Sequence, residues 1–427
     1  MMRSESPAPV TAPGFTPTRE AGLSRLEAFL PQAGRDYNER RNFDLGPDRR
    51  DNVSMLSPWI RHRLVREDEV LARVLGRHPM AAAASFVQEV VWRTYWKGWL
   101  EMRPAVWRRY RRAVAAAVRD LDGDPGLRGR YEQATCGRTD IACFDAWTRE
   151  LLAHGYVHNH ARMWFASIWI FTLRLPWVLG ADLFFRHLLD GDPASNTLSW
   201  RWVAGLQTPG KTYLARSDNI ARYTCGRFPS EPQLADQALI IREPEPLPLP
   251  RDLPPAGETP RQGAIGVLIT EDDCDSLSLG LEHASIRGAA GIAFTGRRSP
   301  LPVGPAPRRF SRGACADALA QAAAATGCST AMLDEDATAE TLLDWSRSNG
   351  VGTIVTAYAP AGPAAEWLED VEPALAASGV TLARIRRGWD DALWPYARKG
   401  YFSFKENVPD ALRRLGIGPD GAWDGRR

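Results

Sequence analysis

Residues 155–205 read GYVHNHARMWFASIWIFTLRLPWVLGADLFFRHLLDGDPASNTLSWRWVAG, and this stretch decides the fold of the first half of the chain. Asn159, Arg162 and Met163 stand at i, i+3 and i+4, so a helix places them on one face. A guanidinium on a buried face must meet an anion or water, because leaving it unpaired is costly. Asp190 or Asp192, in the short Asp-Gly-Asp-Pro turn, can supply an internal partner; a buried polar ligand is the other reading. Gly191 gives that turn permissive dihedrals, and Pro193 stops or starts a helix. Asn196 and the pair Trp200 and Trp202 follow at once.

Upstream of this stretch, apolar-periodic segments predict helices over 18–30, 68–75, 81–100, 105–121 and 141–154, and 161–173 continues the pattern. Alternation of β-branched residues is scarce there, so residues 15–228 are expected to form an all-helical domain. Between 229 and 262 the sequence becomes proline-dense (EPEPLPLPRDLPPAGETP), an extended and semi-rigid linker. Residues 263–415 change character. Short apolar runs at 265–270, 291–295, 330–333, 353–357 and 381–385 predict strands. They alternate with expected helices at 277–287, 312–326, 337–348 and 364–377, which gives a doubly wound parallel sheet of the Rossmann-like kind. No Gly-rich phosphate loop follows the first strand. It runs instead into Glu271, Asp272 and Asp273, whose charge is expected to repel a phosphate. Residues 1–14 and 416–427 read as tails.

The length of 427 residues is too great for one ordinary core. A net charge of +2 neither demands nor excludes nucleic acid, since a binding footprint depends on a local basic face. The basic run RPAVWRRYRR at 103–112 is such a face, or a solvated one. Sixteen tryptophans are the outlier of the composition, and most precede residue 229. Core packing accounts for most rings of this kind. The six cysteines, at 136, 143, 225, 274, 315 and 328, show neither paired spacing nor histidine partners, so they read as free thiols and no metal site is expected. No apolar run suits a signal peptide or a membrane span, and a cytoplasmic protein is expected.

Two further motifs precede the opening stretch. Tyr37 lies in GRDYNERRNF, and Val53-Ser54-Met55-Leu56-Ser57-Pro58 sets Ser57 and Pro58 as a helix start. Residues 86–100, FVQEVVWRTYWKGWL, bring Phe86, Glu89, Arg93 and Trp96 to one side of a helix, with Trp92 three residues beyond Glu89. Taken alone, this is also the pattern of an amphipathic helix with an aromatic core stripe.

Taken in order, HNxARM, LxDGDxAxN and SWRW resemble the flavin-cradling core of the DNA photolyase and cryptochrome family. The resemblance implies FAD as cofactor and UV-damaged DNA, single- or double-stranded, as the partner. It implies that Tyr37, Val53, Ser54, Met55, Leu56, Ser57, Phe86, Arg93, Asn159, Arg162, Asp190, Asp192 and Asn196 bind the cofactor. Glu89, Trp92, Asn159, Met163 and Trp202 are then the residues facing a cyclobutane pyrimidine dimer, and Trp177 and Trp200 carry electrons to the flavin. Trp107 and Tyr110 are candidates for a third carrier. Family members specific for the (6-4) photoproduct place histidines where Asn159 and Met163 stand, so the resemblance favours the cyclobutane-dimer branch. Val53 replaces a threonine usual in the family, and Phe86 stands where many relatives have tryptophan. His158 and His160 are expected to turn away from the Asn159 and Met163 face.

Family members carry an α/β antenna domain before the flavin domain, whereas here the α/β domain follows. Residues 334–409 resemble the later half of that antenna domain, so a rearranged domain order is expected, with the antenna pigment left open. The implied activity is light-driven dimer repair by a deoxyribodipyrimidine photo-lyase. A cryptochrome-like photoreceptor acting on a protein partner is the alternative.

Overall fold

A computed structural model of the chain describes residues 14–230, 232–260 and 262–418. The expected tails therefore lie almost wholly outside the described residues. Up to Tyr223 the described structure is helical, and from Ala264 a five-stranded sheet follows. The long helices form where the periodicity puts them: Arg19–Phe29, Glu67–Arg77, Met80–Glu101, Pro104–Gly123 and Ala142–His154. Thr18 caps the first through its side chain, as its position before the apolar run predicts. The helix Asn159–Ser167 continues through a wider turn, Ile168–Thr172, before Trp177–His187 and Pro193–Val203 complete the quoted stretch.

The sheet comprises β1 (Ala264–Thr270), β2 (Ser285–Ile292), β3 (Ser329–Met332), β4 (Thr353–Ala357) and β5 (Thr381–Ile385), all parallel, in the order β3-β2-β1-β4-β5. The period of two divides β1 between two cores. Ile265, Val267 and Ile269 join Phe310, Ala314 and Ala318 of the helix Pro305–Thr326 in a core continuous with the helical domain. Leu268 faces the other way, into a smaller core with Leu342 and Trp345 of the helix Ala339–Asn349 and Trp367 and Leu368 of the helix Pro363–Ala377.

One expected helix is absent. A helix is expected over 277–287. The structure has only a tight turn at Ser276–Ser278, and β2 already begins at Ser285. Pairing of Ser285 and Ile286 with Ala264 and Ile265 claims the end of the segment for the sheet. That pairing also moves the second strand upstream of the expected 291–295, and Thr295 starts a short helical turn instead.

Arginines of both domains pair with the acidic run after β1. Arg63 binds Asp390 through two bonds of 2.7 and 2.8 Å, Asp273 at 3.3 Å and Glu67 at 3.3 Å. Arg387 forks onto Asp273 with two contacts of 2.6 Å. Arg61 meets Asp272 at 2.5 Å, and Arg298 meets Glu271 at 3.5 Å. Burial alone would raise the Glu271 carboxyl, but Arg298 and Arg61 hold it down at about 2. Arg63 adopts a left-handed backbone, φ 47°, uncommon for a side chain of its size.

After β5 the chain returns to the helical domain. Trp389 donates to the Thr94 hydroxyl at 2.9 Å, and Tyr95 donates to the Lys399 carbonyl at 2.9 Å. Trp394 lies so close to Gly98 that a Cβ there would stand 2.9 Å from its ring, which explains a glycine inside a long helix. The proline-dense segment is held by the run at 103–112. Arg109 binds Glu245 at 2.7 Å and the Pro246 carbonyl at 2.7 Å, so part of the expected basic face is spent on the chain itself.

Replacing Arg63 by Met should destabilise the protein by about 3–5 kcal/mol, because three buried carboxylates lose a shared partner. Denaturant unfolding of the full chain checks this; a loss under about 1 kcal/mol, the size of an exposed pair, would show that the network is not integral to folding.

Candidate functional site

The quoted stretch folds so that its two aspartates take separate partners. Arg162 forks onto Asp190 with bonds of 3.1 and 3.0 Å, and the Ser57 hydroxyl also binds this carboxylate. Burial would raise the Asp190 pKa, but Arg162, Arg93 and Ser57 together hold it below the usual carboxylate range. Asp192 caps the helix Pro193–Val203 by accepting from the Ser195 amide at 2.7 Å. Its other oxygen has Lys97 at 3.8 Å, Arg61 at 3.9 Å and Arg93 at 4.0 Å. Against the effect of burial, these cations lower its pKa to about 2.

Arg93 and Lys97 have acidic neighbours but no close hydrogen-bonded partner, with Asp190 near Arg93 and Glu67 near Lys97. Arg61 has Asp272 for itself, which leaves Arg93 and Lys97 to share Asp192 at distances beyond a hydrogen bond. Arg93 Nη1 is buried with no hydrogen-bond partner. Lys97 is buried too, and burial lowers its pKa. Cationic donors left without a hydrogen bond are expensive to bury, so this corner suits a phosphate or pyrophosphate. Residues 53–57 lie beside it, joined through Ser57 to Asp190. Met55 is left-handed at φ 56°, and Arg25 binds the carbonyls of Val53 at 3.0 Å and Ser54 at 2.7 Å. Val53 and Leu56 are buried in the core.

Tyr37 and Phe86 meet edge to face at 5.2 Å, and both pack on Phe29. Asn196 is buried, its side-chain amide donating to the Ala181 carbonyl at 2.7 Å. Trp200 is buried among Phe184, Phe165 and Trp169. Gly180 makes this possible, since a Cβ there would stand 2.4 Å from the Trp200 ring. Trp177 is half-buried, with Tyr110 at 6.0 Å.

The five residues expected to face a lesion are not joined. Among the described residues no hydrogen bond, ion pair or ring contact links any two of Glu89, Trp92, Asn159, Met163 and Trp202. Glu89 pairs with Arg41 at 2.5 Å, Asn159 is exposed, Met163 is half-buried, and Trp202 is 37% exposed beside Tyr213. Trp92 stacks on Tyr401 of the C-terminal segment at 3.4 Å and 8°. His158 is buried and accepts from the His160 amide, while His160 stacks on Trp164 at 4.0 Å and contacts the Asn42 carbonyl at 2.9 Å. Both histidines thus have structural roles.

Two neighbours escaped the sequence reading. Lys97 stands at i+4 from Arg93, a signal visible on the same helix face. Tyr156, with the Arg50 and Arg162 guanidinium groups 5.0 and 5.5 Å from its ring centre, carried no such signal. A separate cavity of about 310 Å³, lined in part by Tyr131, Arg186 and His187, lies away from these residues.

Residues 86–224 match the family model described as the FAD binding domain of DNA photolyase. A deoxyribodipyrimidine photo-lyase of Streptomyces griseus is 31% identical, over 53% of this chain and 48% of that protein. One from Thermus thermophilus is 32% identical, over 49% and 47%. Among solved structures, a bacterial class III photolyase from Agrobacterium tumefaciens aligns with a TM-score of 0.39 at 26% identity, covering 48% of this chain and 44% of that one. A Synechocystis cryptochrome aligns at 0.42 and 22%, covering 50% and 44%. A photolyase-type FAD-binding segment is therefore the class of unit in which the site lies. The similarity to DNA photolyases lies in this segment and its immediate surroundings. The chain spans less than half the length of the curated relatives described above, and the family match ends before β1.

Replacing Arg93 by Met should weaken FAD binding by about 2 kcal/mol or more, the effect of removing one partner from a buried charged contact. Equilibrium titration of the apoprotein with FAD measures it; unchanged affinity would assign Arg93 to the internal ion-pair network alone.

Proposed function

We propose that this chain binds FAD at Arg93, Lys97, Arg162, Asp190, Asp192, Asn196 and the 53–57 turn, and uses it for light-driven repair of cyclobutane pyrimidine dimers in DNA. The observation that carries the reading is Arg93 Nη1, buried without a hydrogen bond and 4.0 Å from Asp192, inside the matched FAD-binding segment that also holds the Arg162–Asp190 fork. Bound flavin supplies the light absorber and the electron donor. Arg93 and Lys97 hold the pyrophosphate by charge. The Arg162–Asp190 fork and the fixed Asn196 amide border the ring and present neutral or paired groups to it, adding no net charge. Trp92 and Trp202 stack against an extruded lesion, and Glu89 hydrogen-bonds it as charge develops. The electron returns when the ring has split, so the reaction is that of a lyase. The α/β domain is the antenna-like domain in a rearranged order, and the protein acts in the cytoplasm.

A second reading is a cryptochrome-like photoreceptor, favoured by the cover of Tyr401 on Trp92. One experiment decides between them. Purified protein with its flavin reduced beforehand is illuminated with dimer-containing oligonucleotides, single- and double-stranded, and intact thymines are counted. Repair is expected on at least one substrate. Photoreduction of bound flavin without any repair would select the photoreceptor, and failure to bind FAD would overturn both.

A further inference from the structure

The C-terminal return keeps its aromatic rings at least partly buried, with one exception. Tyr401–Lys405 is a short helix whose Tyr401 and Phe404 turn inward, onto Trp92 and Tyr95. Phe402 turns outward and is 84% exposed, the most exposed aromatic side chain among the described residues. A lone apolar residue on a surface is ordinary; this one is distinguished by its charged neighbours and by its place.

Lys405 stands three residues after Phe402, on the same side of the helix, and donates to the neutral Gln88 Oε1 at 3.0 Å. Lys399 stands three residues before it and is exposed; among the described residues its ammonium forms no hydrogen bond or ion pair. Arg398 meets Asp252 at 2.9 Å, an exposed pair that costs little to give up. From 398 to 414 the cations Arg398, Lys399, Lys405, Arg413 and Arg414 face only two carboxylates of the same segment, Glu406 and Asp410, and Asp410 is taken by Arg413. The place is equally particular. Tyr401 stacks on Trp92, which follows Glu89 by about one turn of the helix Met80–Glu101, so Phe402 stands at the edge of the residues assigned to the lesion.

We propose that residues 399–405 hold the DNA strand beside the lesion, with Phe402 stacked on an unpaired base and Lys399 and Lys405 on phosphates to either side; this rests on the repair reading above. Every base offers a π face to an exposed ring, and cations spaced around that ring match the alternation of base and phosphate along a single strand. A protein pocket of apolar lining would take Phe402 but leave both ammonium groups at its rim, whereas a nucleic-acid strand engages all three side chains. The segment lies outside the matched residues 86–224, so this contact belongs to the C-terminal return of this chain. It adds grip on the strand without touching the groups assigned to the flavin.

Titration of the flavin-loaded full chain with a single-stranded oligothymidylate carrying one cyclobutane dimer, repeated over a range of salt, tests this. Phe402→Ala and Phe402→Leu should each weaken binding about tenfold, the worth of one stacked base, with the dependence on salt unchanged. Lys399→Gln combined with Lys405→Gln should weaken it too, and should reduce the slope of log affinity against log salt by about 1.4, the share of two phosphates on a single strand. Flavin content and thermal unfolding should match the natural protein in every variant, since the three side chains are exposed. Natural affinity in Phe402→Leu, even with a loss in Phe402→Ala, would overturn the stacking, and an unchanged salt slope in the lysine variant would overturn the phosphate contacts. Failure of the natural, flavin-loaded protein to bind the dimer-containing strand at all would instead overturn the repair reading.

Discussion

Arginines of the helical domain set against carboxylates of the α/β domain are the constraint on which the remaining architecture depends. Arg61 reaches Asp272 with one side of its guanidinium and donates to the Gly191 carbonyl at 2.9 Å with another, so it ties β1 to the loop that carries Asp190 and Asp192. Arg63 adds Asp390, at the start of the C-terminal return. Burying so many charges is costly unless each finds partners of good geometry, and here the forks satisfy most of them. The contact therefore specifies one arrangement of the domains.

That arrangement determines what is free at the site. Arg61 is drawn toward Asp272, and Asp192 is left with Lys97 and Arg93, neither within hydrogen-bond distance. The unsatisfied donor at Arg93 is in this sense a product of the domain contact. A sheet end of this topology often receives a ligand at its switch point, but here arginine side chains fill it.

The C-terminal return has a parallel effect on the helix Met80–Glu101. Trp389, Trp394 and Tyr401 pack along it, and Phe404 lies 5.3 Å from Tyr95. The same helix carries Glu89, Trp92, Arg93 and Lys97, so elements at the end of the chain fix the backbone from which they project. Trp92 in particular is oriented by a ring more than three hundred residues away in sequence.

The sequence by itself determined most of the long helices, four of the five strands to within a residue or so, and a carboxylate of the 190–192 turn as the partner of Arg162, because these depend on local periodicity and on charges within one compact motif. The segment 277–287 departs from the expected helix because its end is claimed by the sheet through pairing with Ala264 and Ile265. Only the tertiary structure decided the fate of Glu271, Asp272 and Asp273, since the arginines that neutralise them come mostly from distant parts of the chain. It likewise assigned Asp192 to Lys97, gave Trp107 its carboxylate and laid Tyr401 on Trp92. A buried charge or ring is defined by what surrounds it in space, and that surrounding is assembled from segments whose order along the chain carries no record of their contact.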